Sequence, residues 1–198
     1  MKRNVRLVTQ AAVIAAAYVV LTLPFAQFAF GMIQFRLAEA LTVLAALTPA
    51  AIPGLALGCL LTNTLYPSGL GLIDIVFGSL ATLIAASLTW MLKRRLMDKG
   101  IGVTGAVSGT TLDNRIDGKT IRKNRWLKQV IVLSPAAFVN ALVVGFYLPF
   151  LIPDTTVTPL VIGGFMLSIF ISECIVIYLI GMPLLLALRK TGLAAGLE

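Results

Sequence analysis

Four long, almost uncharged apolar runs dominate this chain: Leu7 to Leu23, Ile73 to Leu92, Val130 to Leu151 and Leu160 to Leu188. Each is long enough to cross a hydrocarbon core, which takes about 20 residues of helix. Of the 198 residues only 12% are charged, and the mean hydropathy is +0.97. An ordinary soluble domain carries about 25% charged residues. In lipid every backbone N–H and C=O must be satisfied inside its own segment, so runs of this length predict helices. The fold class that follows is an all-α integral membrane protein.

The start, Met1-Lys2-Arg3-Asn4-Val5-Arg6 before an apolar stretch, has the outline of a signal peptide. A cleaved signal has a shorter apolar core of about 7–15 residues. Leu7 to Leu23 is longer, so a retained first helix is expected over about Val5–Pro24. Residues 25–34, FAQFAFGMIQ, make an aromatic connection. Pro49 and Pro53 then break the apolar stretch from Phe35 to Tyr66, because proline removes a helix hydrogen bond and clashes with the preceding turn. Two shorter helices are expected there, Phe35–Leu47 and Pro53–Leu65, with one kinked span as the competitor. Helix four is expected over Leu72–Leu96, helix five over Leu127–Phe150 and helix six over Leu160–Arg189.

Lysine and arginine decide between five helices and six. With an inside N-terminus, six helices put residues 1–6, the 48–53 turn, the 93–128 connection and the C-terminus in the cytoplasm. Those segments hold 15 of the 16 basic residues, with only Arg36 left over. Basic residues near span ends collect on the cytoplasmic side. Five helices would separate Arg189 and Lys190 from the basic connection. The expectation is one membrane domain, 1–198, with six transmembrane helices, both termini cytoplasmic and a polar basic cytoplasmic loop at 98–125.

The absences narrow the function. The chain has no histidine, which removes His-based triads and imidazole metal sites. Cys59 and Cys174 lie within apolar runs and form no CxxC, so they read as small buried hydrophobes. The net charge of +8 flanks apolar spans, which membrane topology explains better than nucleic acid does. Two nucleotide-site outlines in the loop fail. Gly100 to Gly105 matches GxGxxG but follows a membrane helix where the fingerprint needs a strand. Asp113 to Thr120 ends in Gly-Lys-Thr but begins with Asp113, whose charge stands where phosphate must approach bare backbone. The same segment fails as a calcium loop at Arg115 and Asn124. No cofactor, no metal and no enzymatic activity are expected, and no nucleotide of its own.

What remains is a set of polar residues within the membrane: Gln34, Arg36, Glu39, Asn63, Asp74, Asn140, Tyr147 and Glu173. Ionisable groups in a span are expensive, face the bundle interior and often mark a substrate path. Arg36 and Glu39 are three apart, so they share a helix face and can pair, which is also their structural explanation. Asn140 and Tyr147, seven apart, share a face of helix five. Asp74 lines the site or caps the start of helix four. In the six-helix topology Glu39, Asn63 and Asp74 fall near outer helix ends, with Asn140 and Glu173 nearer the midplane. A pocket open outward would gather them, with Phe28, Phe30, Phe35, Tyr66 and Tyr147 for stacking. Its acidic, amide-rich lining suits a flat donor-rich or cationic molecule and repels a simple anion.

Four stretches carry a family resemblance: Ile33–Asn63, Gly71–Ala86, Asn140–Pro149 and Ser172–Leu185. They contain FR-x-x-EAL, IDIVFGSLATL and NA-x-x-VG-x-YLP, and together they resemble the QueT family. These are substrate-binding S-components of energy-coupling factor (ECF) transporters, assigned to queuosine precursors. The likeness covers nearly the whole chain except the 98–125 loop, which is longer than the family usually has. It implies a six-helix bundle in the bacterial plasma membrane that captures substrate outside, with a transmembrane scaffold subunit and two ATPases as partners. The implied substrates are 7-deazaguanines, such as the 7-aminomethyl or 7-cyano forms. Their guanine-like edge offers N–H donors to a carboxylate, and the aminomethyl form adds a cation. Ala11, Ala12, Ala15 and Ala16 form two overlapping Ala-x-x-x-Ala pairs, which let helices approach closely in lipid. The resemblance implies that this stripe docks the scaffold; packing within the bundle is the alternative, and is expected for Gly54 and Gly58. Two rivals stand beside this reading. One is a self-contained secondary transporter with protons on Asp74 or Glu173, and the other a membrane-embedded carboxylate enzyme, for which no catalytic spacing matches.

Overall fold

The computed structural model describes residues 2–29, 34–66, 71–98, 118–153 and 155–191, and contains no strand among them. The first span is α1 (Lys2–Thr22), carried by the 3₁₀ turn Leu23–Phe25 into the short α2 (Ala26–Ala29). Pro24 seeds that turn, its fixed φ suiting a helix start. A 3₁₀ helix over Leu37–Ala46 follows, then α3 (Ala51–Leu65) and α4 (Gly71–Lys93), which ends in a π turn, Arg94–Asp98. The longest element, α5 (Gly118–Leu151), holds both Pro135 and Pro149. The last span is α6 (Pro159–Cys174), a π segment (Ile175–Gly181) and α7 (Met182–Lys190).

Among the described residues four spans are long and apolar enough to cross a membrane: Asn4–Ala29, Gly71–Met97, Trp126–Leu151 and Pro159–Lys190. Two shorter apolar helices, Leu37–Ala46 and Ala51–Leu65, stand where the split by Pro49 and Pro53 predicts them. Three details depart from the expected pattern. The second helix winds as 3₁₀ and not α. The sixth is interrupted, since Pro183 cannot supply the N–H that would continue the ladder, and the backbone widens to π before it. Helix α5 starts at Gly118, so the end of the 98–125 segment is helical; residues 99–117, with the GxGxxG and most of the Gly-Lys-Thr outline, lie outside the described residues.

A 3₁₀ helix rises about 2.0 Å per residue, so ten residues reach only about 20 Å. That is short of a bilayer core, and burial explains how it is tolerated. Every residue from Ala38 to Ala46 is buried. The segment packs against α1, α3, α4, α5, α7 and the π segment, so it forms the centre of the bundle. Its alanines allow that closeness. A Cβ on Gly181 would stand 2.9 Å from Ala40 O and 2.7 Å from Val43 Cγ1, so only glycine lets the π segment lie against the 3₁₀ helix. The two irregular stretches therefore meet.

The exterior is the reverse of a soluble helix bundle. On α5, Phe138, Leu142, Phe146 and Phe150 form an exposed row at four-residue spacing, while Ala136, Ala137, Asn140, Val144 and Leu148 are buried. On α4, Leu72, Val76, Phe77, Leu80 and Leu83 face out, whereas Asp74, Gly78, Ala81, Thr82, Ala85 and Thr89 face in. Apolar surface on this scale is suited to lipid and not to water.

Candidate functional site

Two linked polar clusters occupy the interior. The first lies at the end of the bundle where α3 finishes, α4 begins and α5 finishes. Arg36 Nη2 bridges Asp74 Oδ1 at 3.3 Å, with both side chains almost wholly buried. The Tyr147 hydroxyl donates to the same oxygen at 2.7 Å, and Asn63 Nδ2 donates to the Asp74 backbone carbonyl at 3.0 Å. Arg36 also points Nη1 toward Cys59 Sγ at 3.8 Å. Gly78 makes room for this cluster, since a Cβ there would stand 3.0 Å from Asn63 Nδ2 and 3.5 Å from Arg36 Nη1.

The second cluster lies one to two turns deeper. The Tyr18 hydroxyl on α1 donates to Glu39 Oε1 at 2.8 Å, and Thr82 Oγ1 on α4 approaches the same oxygen at 3.2 Å. Asn140 Nδ2 on α5 donates to Glu173 Oε1 on α6 at 3.0 Å. The 3₁₀ segment packs against the π segment that follows Glu173. The 3₁₀ segment delivers Glu39 and the last turn of α6, just before the π segment, delivers Glu173. The contact between those irregular stretches puts the two acids on neighbouring parts of the bundle.

Two expectations about pairing change. Arg36 bridges Asp74 and not Glu39, because its backbone is extended (φ −90°, ψ 94°) ahead of the 3₁₀ segment and the two side chains do not share a regular helix face. Asp74 lies in the first turn of α4, but its carboxylate is taken by Arg36 and Tyr147 from other elements. It joins elements together.

The other polar residues expected at the site, Asn63, Asn140, Tyr147 and Glu173, all point into these clusters. Among the stacking candidates, Tyr147 is half-buried at the first cluster, while Phe28 and Tyr66 are exposed and Phe30 lies outside the described residues. Sequence reasoning missed Tyr18, Gly78 and Thr82. Asp74, Gly78 and Thr82 follow at four-residue spacing, so the polar inward row of α4 was readable. A tyrosine in mid-span needs a partner for its hydroxyl, which was the available signal for Tyr18.

Hydrogen bonding inside the bundle is incomplete among the described residues. Among the described residues three acidic side chains, Glu39, Asp74 and Glu173, and one guanidinium, Arg36, are buried. Glu39 Oε2, Glu173 Oε2 and Asn140 Oδ1 are buried with no hydrogen-bond partner among the described residues. By donating its nitrogen to Glu173, Asn140 turns its oxygen away. A buried acceptor without a partner costs about 1–3 kcal/mol, more when charged. Three such atoms leave the interior lined with unmatched oxygens, which a ligand bringing hydrogen-bond donors would complement. Among the described residues no three His, Cys, Asp or Glu side chains group to hold a metal ion.

The alanine stripe on α1 divides. Ala11 and Ala15 are buried against α3, where Cβ atoms on Gly54 and Gly58 would stand 2.8 Å from Ala11 O and 3.1 Å from Ala15 O. Ala12 and Ala16 face outward. Ala12 lines an apolar groove of about 390 Å³ with Leu7, Val8, Pro53 and Leu57.

Among curated proteins and among solved structures, nothing matches this chain. The family model described as QueT transporter matches residues 8–190, nearly the whole length, and includes every residue of both clusters. The chain belongs to the QueT transporter family.

Proposed function

We propose that this membrane protein is the substrate-binding S-component of an ECF-type importer, and that it captures a 7-deazaguanine queuosine precursor from outside the cell. The observation that carries the reading is the set of buried acceptors, Glu39 Oε2, Glu173 Oε2 and Asn140 Oδ1, beside more acidic than basic side chains buried among the described residues. A guanine-like edge supplies N–H donors to those atoms, and an aminomethyl group supplies a cation. Arg36, Asn63, Asp74 and Tyr147 form the frame that fixes the mouth of the site, and Glu39, Asn140 and Glu173 form its floor.

In this reading six helices span the plasma membrane with both termini and the 98–125 segment cytoplasmic. Helix direction supports it: Lys2, Lys93, Arg94, Arg95, Lys128, Arg189 and Lys190 belong to the end of the bundle opposite the Arg36–Asp74 cluster. A scaffold subunit and two ATPases supply the energy. The exposed pair Ala12 and Ala16, beside the apolar groove, is the docking face for the scaffold, with Ala11 and Ala15 packing the helix to its own bundle. A proton-coupled secondary transporter would reuse the same carboxylates but need no ATPase.

The test is ligand-induced thermal stabilisation of the purified protein, screened across 7-deazaguanines, guanine and common vitamins. Stabilisation by a 7-deazaguanine alone supports the reading, and stabilisation only by an unrelated vitamin contradicts it. Uptake by the pure protein in proteoliposomes under a proton gradient would favour the secondary transporter.

A further inference from the structure

Gln34 is the one non-glycine residue with positive φ among the described residues, at +51°. That region costs a side chain with a Cβ and is adopted freely only by glycine. The Gln34 side chain is nevertheless 98% buried, and its Nε2 has no hydrogen-bond partner among the described residues. A strained backbone and a buried donor without a partner occur at one position, where neither benefits the fold. Strain of this kind collects at ligand clamps.

Its place in the chain sets it beside the first cluster. Gln34 stands two residues before Arg36, which is anchored to Asp74, and at the entry to the 3₁₀ segment that carries Glu39. At most about 7 Å of chain separates its Cα from that of Arg36. The backbone N–H of Phe35 bonds Phe28 O at 2.9 Å, which ties this approach to the end of α2 and holds it in place.

We infer that Gln34 is a specificity-determining residue, its buried amide donating to a ring carbonyl of the substrate. This deepens the proposed function and rests on it. The buried partnerless atoms of Glu39, Glu173 and Asn140 are all acceptors, and Gln34 Nε2 adds a donor. A ligand meeting both needs donors and a carbonyl on one rigid frame, as an oxo-purine-like lactam edge provides. A ring with an amino group at the carbonyl position would set donor against donor and be rejected. A site built to hydrogen-bond a group discriminates strongly against analogues lacking it, because its own buried group is then left without a partner.

The experiment is calorimetry on the purified full-length protein with two probes, 7-aminomethyl-7-deazaguanine and the same molecule lacking the ring oxygen. Wild type should bind the first at least about ten-fold more tightly. Gln34→Met removes the amide and keeps the buried volume. It should lose about ten-fold on the oxo probe, little on the other, and so lose the discrimination. Unchanged affinity for the oxo probe, or an equal loss on both, overturns the assignment alone. Wild type binding neither probe overturns the functional reading and this assignment with it.

Discussion

Tyr18 and Glu39 are joined across the bundle by a 2.8 Å hydrogen bond, from the helix that carries the outward Ala12 and Ala16 to a carboxylate at the floor of the site. Both residues are fully buried. Tyr18→Phe keeps the ring and removes the donor, leaving Glu39 Oε1 to Thr82. A buried side-chain hydrogen bond is worth about 0.5–1.5 kcal/mol. The expected result is a lower melting temperature in detergent, and an unchanged one would show that the bond contributes nothing.

The α1–α3 contact depends on glycine. A Cβ at Gly58 would stand 2.6 Å from Tyr18 Cβ, and overpacking of this kind costs about 1–3 kcal/mol or more. Gly58→Leu should destabilise the isolated protein and weaken ligand binding through Tyr18. Circular dichroism melts together with calorimetry check both parts.

Ala12→Trp or Ala16→Trp alters only the outward face. Uptake by cells should be abolished, because the scaffold can no longer seat, while the purified protein still binds its ligand. Loss of binding in the isolated subunit would mean that these positions serve the bundle and not a partner.

Orientation is open to a direct test. Single cysteines at Ser108 and Thr156 in intact cells should react differently with an impermeant reagent, the second labelled and the first protected. The opposite pattern overturns the topology.

The element boundaries were largely legible because prolines and long apolar runs have strong physical consequences. Pro49 and Pro53 separated two short helices correctly. The character of those helices was not legible. Phe35–Leu47 reads as an ordinary helix in sequence, and only its burial on all sides in the bundle lets it wind as 3₁₀. Arg36 stands in extended backbone just ahead of it and reaches Asp74, 38 residues away, while Glu39 takes Tyr18. Local spacing cannot anticipate partners chosen by tertiary packing. The residues of the two buried polar clusters were visible as polar exceptions in apolar spans; their pairing was not. The division of the alanine stripe also needed the neighbouring helix, since Ala11 and Ala12 differ only in what lies beside them.

The central claim is that Glu39 and Glu173 hold a donor-rich cationic ligand. Changing each carboxylate to an amide keeps its shape and removes charge-assisted bonds worth about 1.5–3 kcal/mol. The direct measurement is calorimetry of 7-aminomethyl-7-deazaguanine binding to wild type, Glu39→Gln and Glu173→Gln. Glu173→Gln should bind about ten-fold more weakly or worse, and Glu39→Gln should also lose affinity. Unchanged affinity in both variants would contradict the assignment.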